Sequence, residues 1–241
     1  MKKIKILDLG LTDYLEAKRL QDELVNKRLS DEIPDTLVLC EHEPVITIGR
    51  KGGEKDLLVS EKFLSQKKIK VYHVERGGEA TYHCPGQLVG YPIFNLKYIA
   101  MDLHGFLRDL EEVMINTLKE TGISAERREG YTGVWVQAPG GPAKIAFIGI
   151  SARKWVTYHG FSLNIDCDLA PFKWIVPCGI KDAKVTSIKA CQRVPPRKRW
   201  RAGIVSPTES EDSCGVLRTA CQVKGIKEKI IENFEMVFNL K

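Results

Sequence analysis

One glycine-rich segment constrains the fold of this 241-residue chain more than any other feature. It spans residues 75–92, reads ERGGEATYHCPGQLVGYP, continues from the alternating run IKVYHVE and passes into the run LVGYPIFNL. Its Gly-Gly pair and its Pro-Gly turn let the backbone take positive φ or approach a ligand closely. Arg76, Tyr82, His83 and Cys84 are residue types that bind anions, move protons or attack carbonyls. The segment therefore predicts part of a binding site, and a β-hairpin with a polar tip is the alternative.

The composition predicts a globular protein of the cytoplasm. Hydrophobic residues make up 43% and charged residues 28% of the chain, the usual shares for such proteins. No apolar run approaches the ~20 residues of a membrane helix, and the N-terminus MKKIKILDLG has no apolar signal region. The seven cysteines form no CxxC pair, which favours reduced thiols. A matrix protein that has lost its presequence is the alternative location.

The periodic segments predict an α+β domain with a largely antiparallel or mixed sheet. An amphipathic helix begins after Thr12, its predicted N-cap, and a second covers residues 102–121 and ends at Gly122. The runs TGVWVQAP and AKIAFIGISA predict a hairpin around the turn at residues 140–142. Helices and strands thus alternate without a clear separation into two units.

The C-terminal part of the chain is predicted to close the same domain. Residues 192–213 are basic first and acidic last and contain three prolines, which predicts a mobile surface loop. Residues 215–239 have helical periodicity with a predicted break near Gly225. Because no linker or internal repeat is found, we expect residues 1–241 to form a single domain.

Cys178 is the first candidate for a nucleophile. It lies between Pro177 and Gly179, where glycine leaves room beside the sulfur for a substrate carbonyl. Only a few per cent of a free thiol is thiolate at neutral pH, so a neighbouring cation is needed. Lys144, His83 and His159 are the candidate partners. The second-choice nucleophile is Cys84, and the remaining cysteines are expected to be inert and buried: Cys40, Cys167, Cys191, Cys214 and Cys221.

Two other functions, nucleotide binding and nucleic-acid binding, have less support in the sequence. The glycines of residues 75–92 match neither phosphate-binding motif, GxxxxGK[ST] or GxGxxG, so nucleotide binding is disfavoured. The basic run PPRKRWR at residues 195–201 has the composition to contact phosphates, with Trp200 stacking on a base. A solvated surface loop is the commoner explanation of such a run. The net charge of +6 suits an acidic protein or a nucleic acid and identifies neither.

Several motifs, taken in order, resemble the lipoyl(octanoyl) transferases. They are EHEPVITIGR at 41–50, RGGEATYHCPGQLVGYP at 76–92, GVWV at 133–136, KIAFIG at 144–149, HGFSLNI at 159–165, PCG at 177–179 and VTSI at 185–188. The resemblance implies a single α+β domain of the biotin/lipoate protein ligase type, with a large mixed sheet, a smaller sheet and flanking helices. It also implies transfer of an octanoyl group from acyl carrier protein to a lysine of lipoyl domains, the first step of protein lipoylation.

The resemblance also implies the site residues. Cys178 matches the cysteine that carries the acyl group, and Lys144 matches the lysine paired with it. The substrate-binding segments of the family fall on Arg76, Gly77, Gly78, Glu79, Ala80, Thr81, Tyr82, His83, Phe147, Ile148, Gly149, Gly160, Phe161 and Ser162. Because the thioester is already activated, the resemblance implies no metal or nucleotide cofactor.

Two positions depart from the family pattern, and two rival functions are kept. Cys84 and Ser162 stand where the family usually has glycine and alanine, and Cys84 is expected to add bulk at the pocket edge. One rival is an ATP-dependent lipoate or biotin ligase on the same fold, which would not need Cys178. The other is a non-catalytic nucleic-acid-binding module that uses residues 195–201.

Overall fold

The structure, a computed structural model, describes residues 4–138, 140–180, 184–193 and 215–240, with the backbone alone at 215–222. Within these residues, eleven strands form two sheets. The strands are β1 Lys5–Thr12, β2 Thr36–His42, β3 Val45–Ile48, β4 Lys70–His73, β5 Ala80–His83, β6 Gln87–Ile93, β7 Ala125–Arg128, β8 Tyr131–Ala138, β9 Gly141–Arg153, β10 Val156–Asn164 and β11 Lys184–Val185. The helices are α1 Tyr14–Leu29, α2 Glu61–Gln66, α3 Leu103–Glu120, α4 Ile188–Gln192 and α5 Gly215–Val237.

The large sheet is mixed, as predicted. Its order is β1-β2-β6-β10-β9-β8-β7, and β11 pairs with β9. The β1–β2 and β9–β11 pairs are parallel, and the other pairs are antiparallel. The small sheet has the order β4-β3-β5. The predicted class, α+β with one large and one smaller sheet, is confirmed.

The glycine-rich segment is not a hairpin. β5 pairs with β3 in the small sheet, whereas β6 lies between β2 and β10 in the large sheet. The Pro-Gly turn therefore carries the chain from one sheet to the other. Gly86 has φ +81°, and a Cβ there would lie 2.2 Å from the carbonyl oxygen of Asp166. Only glycine fits this crossing, so the polar-tipped hairpin is wrong.

The predicted helices are largely confirmed, with two corrections. α1 is capped by Asp13 rather than Thr12, because the Asp13 carboxylate accepts hydrogen bonds from the backbone N–H groups of Leu15 and Glu16. α5 runs through Gly225 without the predicted break. A helical glycine costs about 1 kcal/mol relative to alanine, which the buried apolar face of α5 offsets.

Three apolar clusters hold the helices and sheets together. Leu37 and Leu39 of β2 pack in a cluster with α3 and α5, whereas Val38 and Cys40 pack on the opposite face with α1. This alternation follows from the two-residue period of a strand. The third cluster fills the space between the small sheet and β9, where the Phe147 ring stacks on Phe172 at 5.2 Å between centroids. The large sheet is thus covered on both faces.

Two predictions concern residues beyond those described. The predicted loop at 192–213 lies outside the described residues from position 194 onward, as do Cys214 and the side chain of Cys221.

No helix within the described ranges is both long enough and apolar enough to cross a membrane.

Candidate active site

Lys144 and Cys178 are in direct contact. The Nζ atom of Lys144 donates to Sγ of Cys178 at 3.1 Å. Lys144 lies near the start of β9, and Cys178 follows a short 3₁₀ helix, Ala170–Trp174. Lys144 is 3% exposed, whereas Cys178 is half-buried and lines a cleft. The fold therefore brings together an ammonium and a thiol that are distant in the sequence.

The surroundings of Lys144 favour a cation and fix its direction. Its Nζ atom lies 5.5 Å from the ring centroid of Trp135 and 5.1 Å from that of Phe147, within reach of cation–π attraction. Gly133 leaves the space for the side chain, because a Cβ there would lie 2.6 Å from Cε of Lys144. The backbone N–H of Gly133 donates to Oε1 of the buried Glu111 at 2.8 Å.

Cys178 is held in an uncommon backbone conformation. Its φ is +53°, in the left-handed region that residues with a side chain rarely adopt. Pro177 forms a bridge with Ala80, and the Cys178 N–H donates to the Ala80 carbonyl at 3.2 Å. Gly179 continues with φ +67°. Backbone strain of this kind is often found at functional sites, where the surrounding structure enforces it.

The cleft beside this pair has a volume of about 420 Å³. Most residues of the predicted substrate-binding segments line it: Arg76, Gly77, Gly78, Glu79, Thr81, His83, Phe147, Ile148, Gly149, Gly160, Phe161 and Ser162. Ala80 and Tyr82 do not line it. They point to the other face of β5, where the Tyr82 ring packs edge-on against Phe172.

Arg76 supports the wall of the cleft from within. Its guanidinium donates to the carbonyl oxygens of Thr47, Gly77 and Glu79, at 2.6, 3.0 and 2.7 Å. Burial lowers the pKa of this guanidinium from its usual value, but arginine stays protonated in proteins. Arg76 therefore stabilises the glycine loop, residues 76–79, through these hydrogen bonds. Its position in the sequence did not predict this role.

The two candidate histidines line the cleft as neutral groups. Burial lowers the pKa of His83 to about 3, and that of His159 to about 3. The Nδ1 atom of His83 lies 2.6 Å from the amide oxygen of Gln87, so Nδ1 carries the proton and donates. Neither imidazole is charged at neutral pH. Lys144 is thus the cation in direct contact with Cys178, and the Arg76 guanidinium is near enough to interact with the charge of its thiolate.

The other cysteines occupy different surroundings. Cys84 is 3% exposed, lies on the same face of the chain as Tyr82 and packs with Cys167 and Phe172. It does not line the cleft, so the expected bulk at the pocket edge is absent. Cys40 is fully buried, and burial raises the pKa of its thiol. Cys167 and Cys191 are only partly buried, in contrast to the expectation.

Several cleft residues were not found from the sequence. They are Tyr14, Arg50, Lys51, Val89, Tyr91, Leu103, His104, Leu107, Gly130, Tyr131, Thr132, Ile150 and Ile180. Tyr14 begins α1 and Leu103 begins α3, so two helices that are distant in the sequence contribute to the cleft. Helical periodicity marked both as apolar positions and gave no sign of the cleft. Tyr91 lay within the glycine-rich segment, but nothing separated it from a core residue.

Comparisons with known proteins agree with the fold and the motifs. Residues 13–201 match the family model of the lipoyl protein ligase A/B catalytic domain. An octanoyltransferase of Caldicellulosiruptor bescii is 50% identical over 77% of this chain and 81% of its own length. An octanoyltransferase of Caldanaerobacter subterraneus subsp. tengcongensis is 38% identical over 100% of this chain and 92% of its own.

Solved structures share the fold at low sequence identity. A bi-partite lipoate protein ligase from Thermoplasma acidophilum has a TM-score of 0.66 at 15% identity, over 99% of this chain and 85% of that one. A lipoate-protein ligase A bound with ATP has a TM-score of 0.62 at 14% identity, over 98% and 85% of the two chains.

Proposed function

Because this chain belongs to the lipoyl protein ligase A/B catalytic domain family, we propose that it transfers octanoyl groups from acyl carrier protein to lipoyl-domain lysines through an acyl-Cys178 intermediate. It is an acyltransferase, and octanoyl transfer in protein lipoylation is the activity of its curated relatives. The observation that carries the proposal is the 3.1 Å contact between Lys144 Nζ and Cys178 Sγ at the cleft. No metal or nucleotide takes part in the proposed reaction.

In the first half of the reaction, Cys178 takes the acyl group from the donor. The thiolate attacks the thioester carbonyl, the new C–S bond forms, and the bond to the phosphopantetheine sulfur breaks. Lys144 gives a proton to the leaving sulfur and becomes neutral. Its ammonium stabilises the attacking thiolate, because Lys144 is 3% exposed and little water lies between the two groups to screen their attraction.

Backbone donors for the developing oxyanion are available on the glycine loop. The N–H groups of Gly78 and Glu79 make no hydrogen bond within the described residues, and both residues line the cleft. A well-placed oxyanion donor is typically worth about 3 kcal/mol of transition-state stabilisation. We assign the oxyanion to this loop rather than to Gly149, whose backbone lies within the β9–β10 pair.

In the second half, the acceptor lysine attacks the acyl-cysteine. About one in 2,500 ordinary lysine amines is neutral at pH 7. The acceptor ammonium loses one proton to solvent and a second to Lys144, while the N–C bond forms and the C–S bond breaks. Cys178 and Lys144 return to thiolate and ammonium. A thioester is converted to a more stable amide, so the step runs without ATP.

Covalent trapping tests the intermediate. Incubation with octanoyl-acyl carrier protein, without ATP, should add one octanoyl mass to the peptide that contains Cys178. Cys178→Ser should form no adduct and lose turnover, and Lys144→Met should form the adduct at least tenfold more slowly, because the thiolate loses its counter-ion. Peptide mapping by mass spectrometry locates the group.

Three results would contradict the proposal. They are an adduct on Cys84 instead of Cys178, full turnover in Cys178→Ser, and modification that requires free octanoate and ATP. The last result would indicate the ATP-dependent ligase reaction. Neither Cys84→Ser nor Cys40→Ser should prevent the adduct, since neither thiol lines the cleft.

The location and the donor contact are also part of the proposal. The cysteines among the described residues that are observed to be free, Cys40, Cys84, Cys167, Cys178 and Cys191, suit the reducing cytoplasm. The net charge of +6 suits an acidic carrier protein. We propose that the basic run at residues 195–201, which lies outside the described residues, helps to steer this donor.

A further inference from the structure

The Glu79 carboxylate stands beside the candidate nucleophile. A Cβ placed on Gly179, the residue after Cys178, would lie 3.1 Å from Cδ and 3.2 Å from Oε1 of Glu79. Glu79 is half-buried and lines the cleft together with Lys144 and Cys178. Its side chain therefore brings a negative charge to the place where the acyl group would be carried.

Neighbouring residues hold the backbone of Glu79 and leave space for its side chain beside Cys178. The Glu79 carbonyl accepts hydrogen bonds from the Gly49 N–H at 2.9 Å and from Arg76 Nη2 at 2.7 Å. Gly179 is left-handed and leaves the space that the Glu79 side chain occupies. The backbone of Glu79 is thus fixed, and its side chain lies in the space that Gly179 leaves open.

The carboxylate has no partner within the described part of the protein. Its oxygens make neither a hydrogen bond nor an ion pair there. Arg76 is near enough for Glu79 to stabilise its charge, but the hydrogen bonds of this guanidinium go to Thr47 and to backbone carbonyls. A half-buried carboxylate without a partner is costly unless a ligand supplies the cation. The geometry therefore indicates that a cation arrives here during the reaction.

We propose that Glu79 binds the ammonium of the acceptor lysine as that lysine approaches the acylated Cys178. This inference rests on the proposed function. In the acyl-enzyme Cys178 is neutral, and Lys144 is neutral after giving up its proton. Among the described residues that line the cleft, Glu79 is then the negatively charged side chain that a lysine ammonium meets. The carboxylate offsets the loss of water around the ammonium and directs the amine toward the carbonyl carbon.

Glu79 acts on binding and position rather than on the proton balance. Its charge favours the ammonium over the free amine, so it does not increase the neutral fraction of the lysine. The two protons still leave to solvent and to Lys144. Removal of the charge should therefore weaken capture of a cationic acceptor and leave the reaction with an uncharged nucleophile intact.

Glu79→Gln tests this role in a single turnover. The octanoyl-enzyme is formed first and then mixed with increasing concentrations of a lipoyl domain. The concentration for half-maximal rate should rise about tenfold, the order expected for loss of one charge-assisted hydrogen bond, while the limiting rate changes little. Hydroxylamine, which is mostly uncharged at neutral pH, should remove the octanoyl group no more slowly than from the wild type. Acylation by the donor should not slow either, because the lost negative charge opposes both the Cys178 thiolate and the developing oxyanion.

Glu75→Gln is the matched control. Glu75 begins the same segment, is 60% exposed on its side chain and does not line the cleft. Loss of its charge should leave the lipoyl-domain dependence unchanged. Glu79→Asp, which keeps the charge on a shorter side chain, should restore part of the acceptor binding.

The inference is overturned if Glu79→Gln binds the acceptor as well as the wild type. It is also overturned if Glu79→Gln slows acylation, hydroxylamine and lipoyl-domain transfer equally, because that pattern indicates damage to the loop. Failure of the wild-type protein to form an acyl-Cys178 enzyme is a different result. It would overturn the proposed function itself, before any acceptor is added.

Discussion

Gly133 is the residue whose missing side chain gives Lys144 its place. Its φ is +106°, and an added Cβ would lie 2.6 Å from Cε and 3.3 Å from Nζ of Lys144. Gly133→Ala should therefore displace the ammonium from Cys178. We expect kcat/KM to fall at least tenfold, because the effect of an ion pair depends steeply on its geometry. Steady-state octanoyl transfer measures this loss.

Gly122→Ala separates this displacement from simple backbone strain. Gly122 follows α3 with φ +79°, and nothing lies within 4 Å of an added Cβ. Both substitutions place a side chain on a residue with positive φ, at a cost of about 1 kcal/mol in the free energy of unfolding. Gly133→Ala should be destabilised further in urea, because its Cβ would also lie 2.6 Å from the carbonyl oxygen of Ala146. Only Gly133→Ala should lose activity. Equal activity in the two variants would show that Gly133 does not position Lys144.

At the scale of single elements, β5 divides the residues of the glycine-rich segment between the cleft and the core. Thr81 and His83 line the cleft, whereas Ala80, Tyr82 and the following Cys84 pack in the cluster below the small sheet. A motif predicts the whole segment as a binding wall, but the strand period divides it into two faces. The expected effect of Cys84 on the pocket fails for this reason.

Cys84→Gly tests this division. The substitution introduces the glycine that the family resemblance implies at this position and removes a thiol that packs against Cys167 and Phe172. The free energy of unfolding should fall by about 1–3 kcal/mol, from lost packing and the added flexibility of glycine. The preference among hexanoyl, octanoyl and decanoyl donors should not change.

Ser162→Ala is the informative contrast, because Ser162 lines the cleft and is 2% exposed. Both variants introduce the usual family residue, and only this one alters the surface that a ligand meets. A changed chain-length preference in Cys84→Gly would show that Cys84 contacts the acyl chain after all.

The sequence predicts the elements of this fold better than their pairing. Periodicity located α1, α3 and the β8–β9 hairpin, because those patterns depend on residues close in the chain. The distribution of β2 to β6 between two sheets depends on distant partners, and no local pattern encodes it. For the same reason residue chemistry alone left Lys144 as one of three candidate partners of Cys178, and only the family resemblance paired the two residues. Their 3.1 Å contact depends on the β9 sheet and on the Pro177–Ala80 bridge together.

At the scale of the whole molecule, the site is built around buried neutral histidines, which should make stability depend on pH. Burial lowers the pKa of His83 and of His159 to about 3, from an ordinary value of 6.5. Burial also lowers the pKa of His42. The Glu75 carboxylate lies 3.7 Å from Nε2 of His159, but it is 60% exposed and therefore screened, so burial dominates.

The direction of the effect follows from proton binding. Below pH 6.5 the unfolded chain takes up protons on these imidazoles, and the folded protein does not do so until about pH 3. The stabilisation is thus complete above pH 6.5 and is lost as the pH falls through this window. Each of these two histidines should contribute a slope of at most about 1.4 kcal/mol per pH unit.

Urea unfolding of the wild type and of His159→Gln, at several pH values between about 7 and 5, measures this contribution. The variant should lose stability more slowly with acid than the wild type, by up to about 1.4 kcal/mol per pH unit.

His73→Gln, on the exposed part of β4, controls for loss of an imidazole outside the buried site. All three proteins contain the same carboxylates, so a difference in slope between His159→Gln and the other two is assigned to the buried imidazole. Parallel curves for the wild type and His159→Gln would show that His159 accepts a proton in the folded protein near neutral pH. The cleft would then carry one more cation in addition to Arg50, Lys51, Arg76 and Lys144, and the assignment of Lys144 as the cation that serves Cys178 would have to be tested against it.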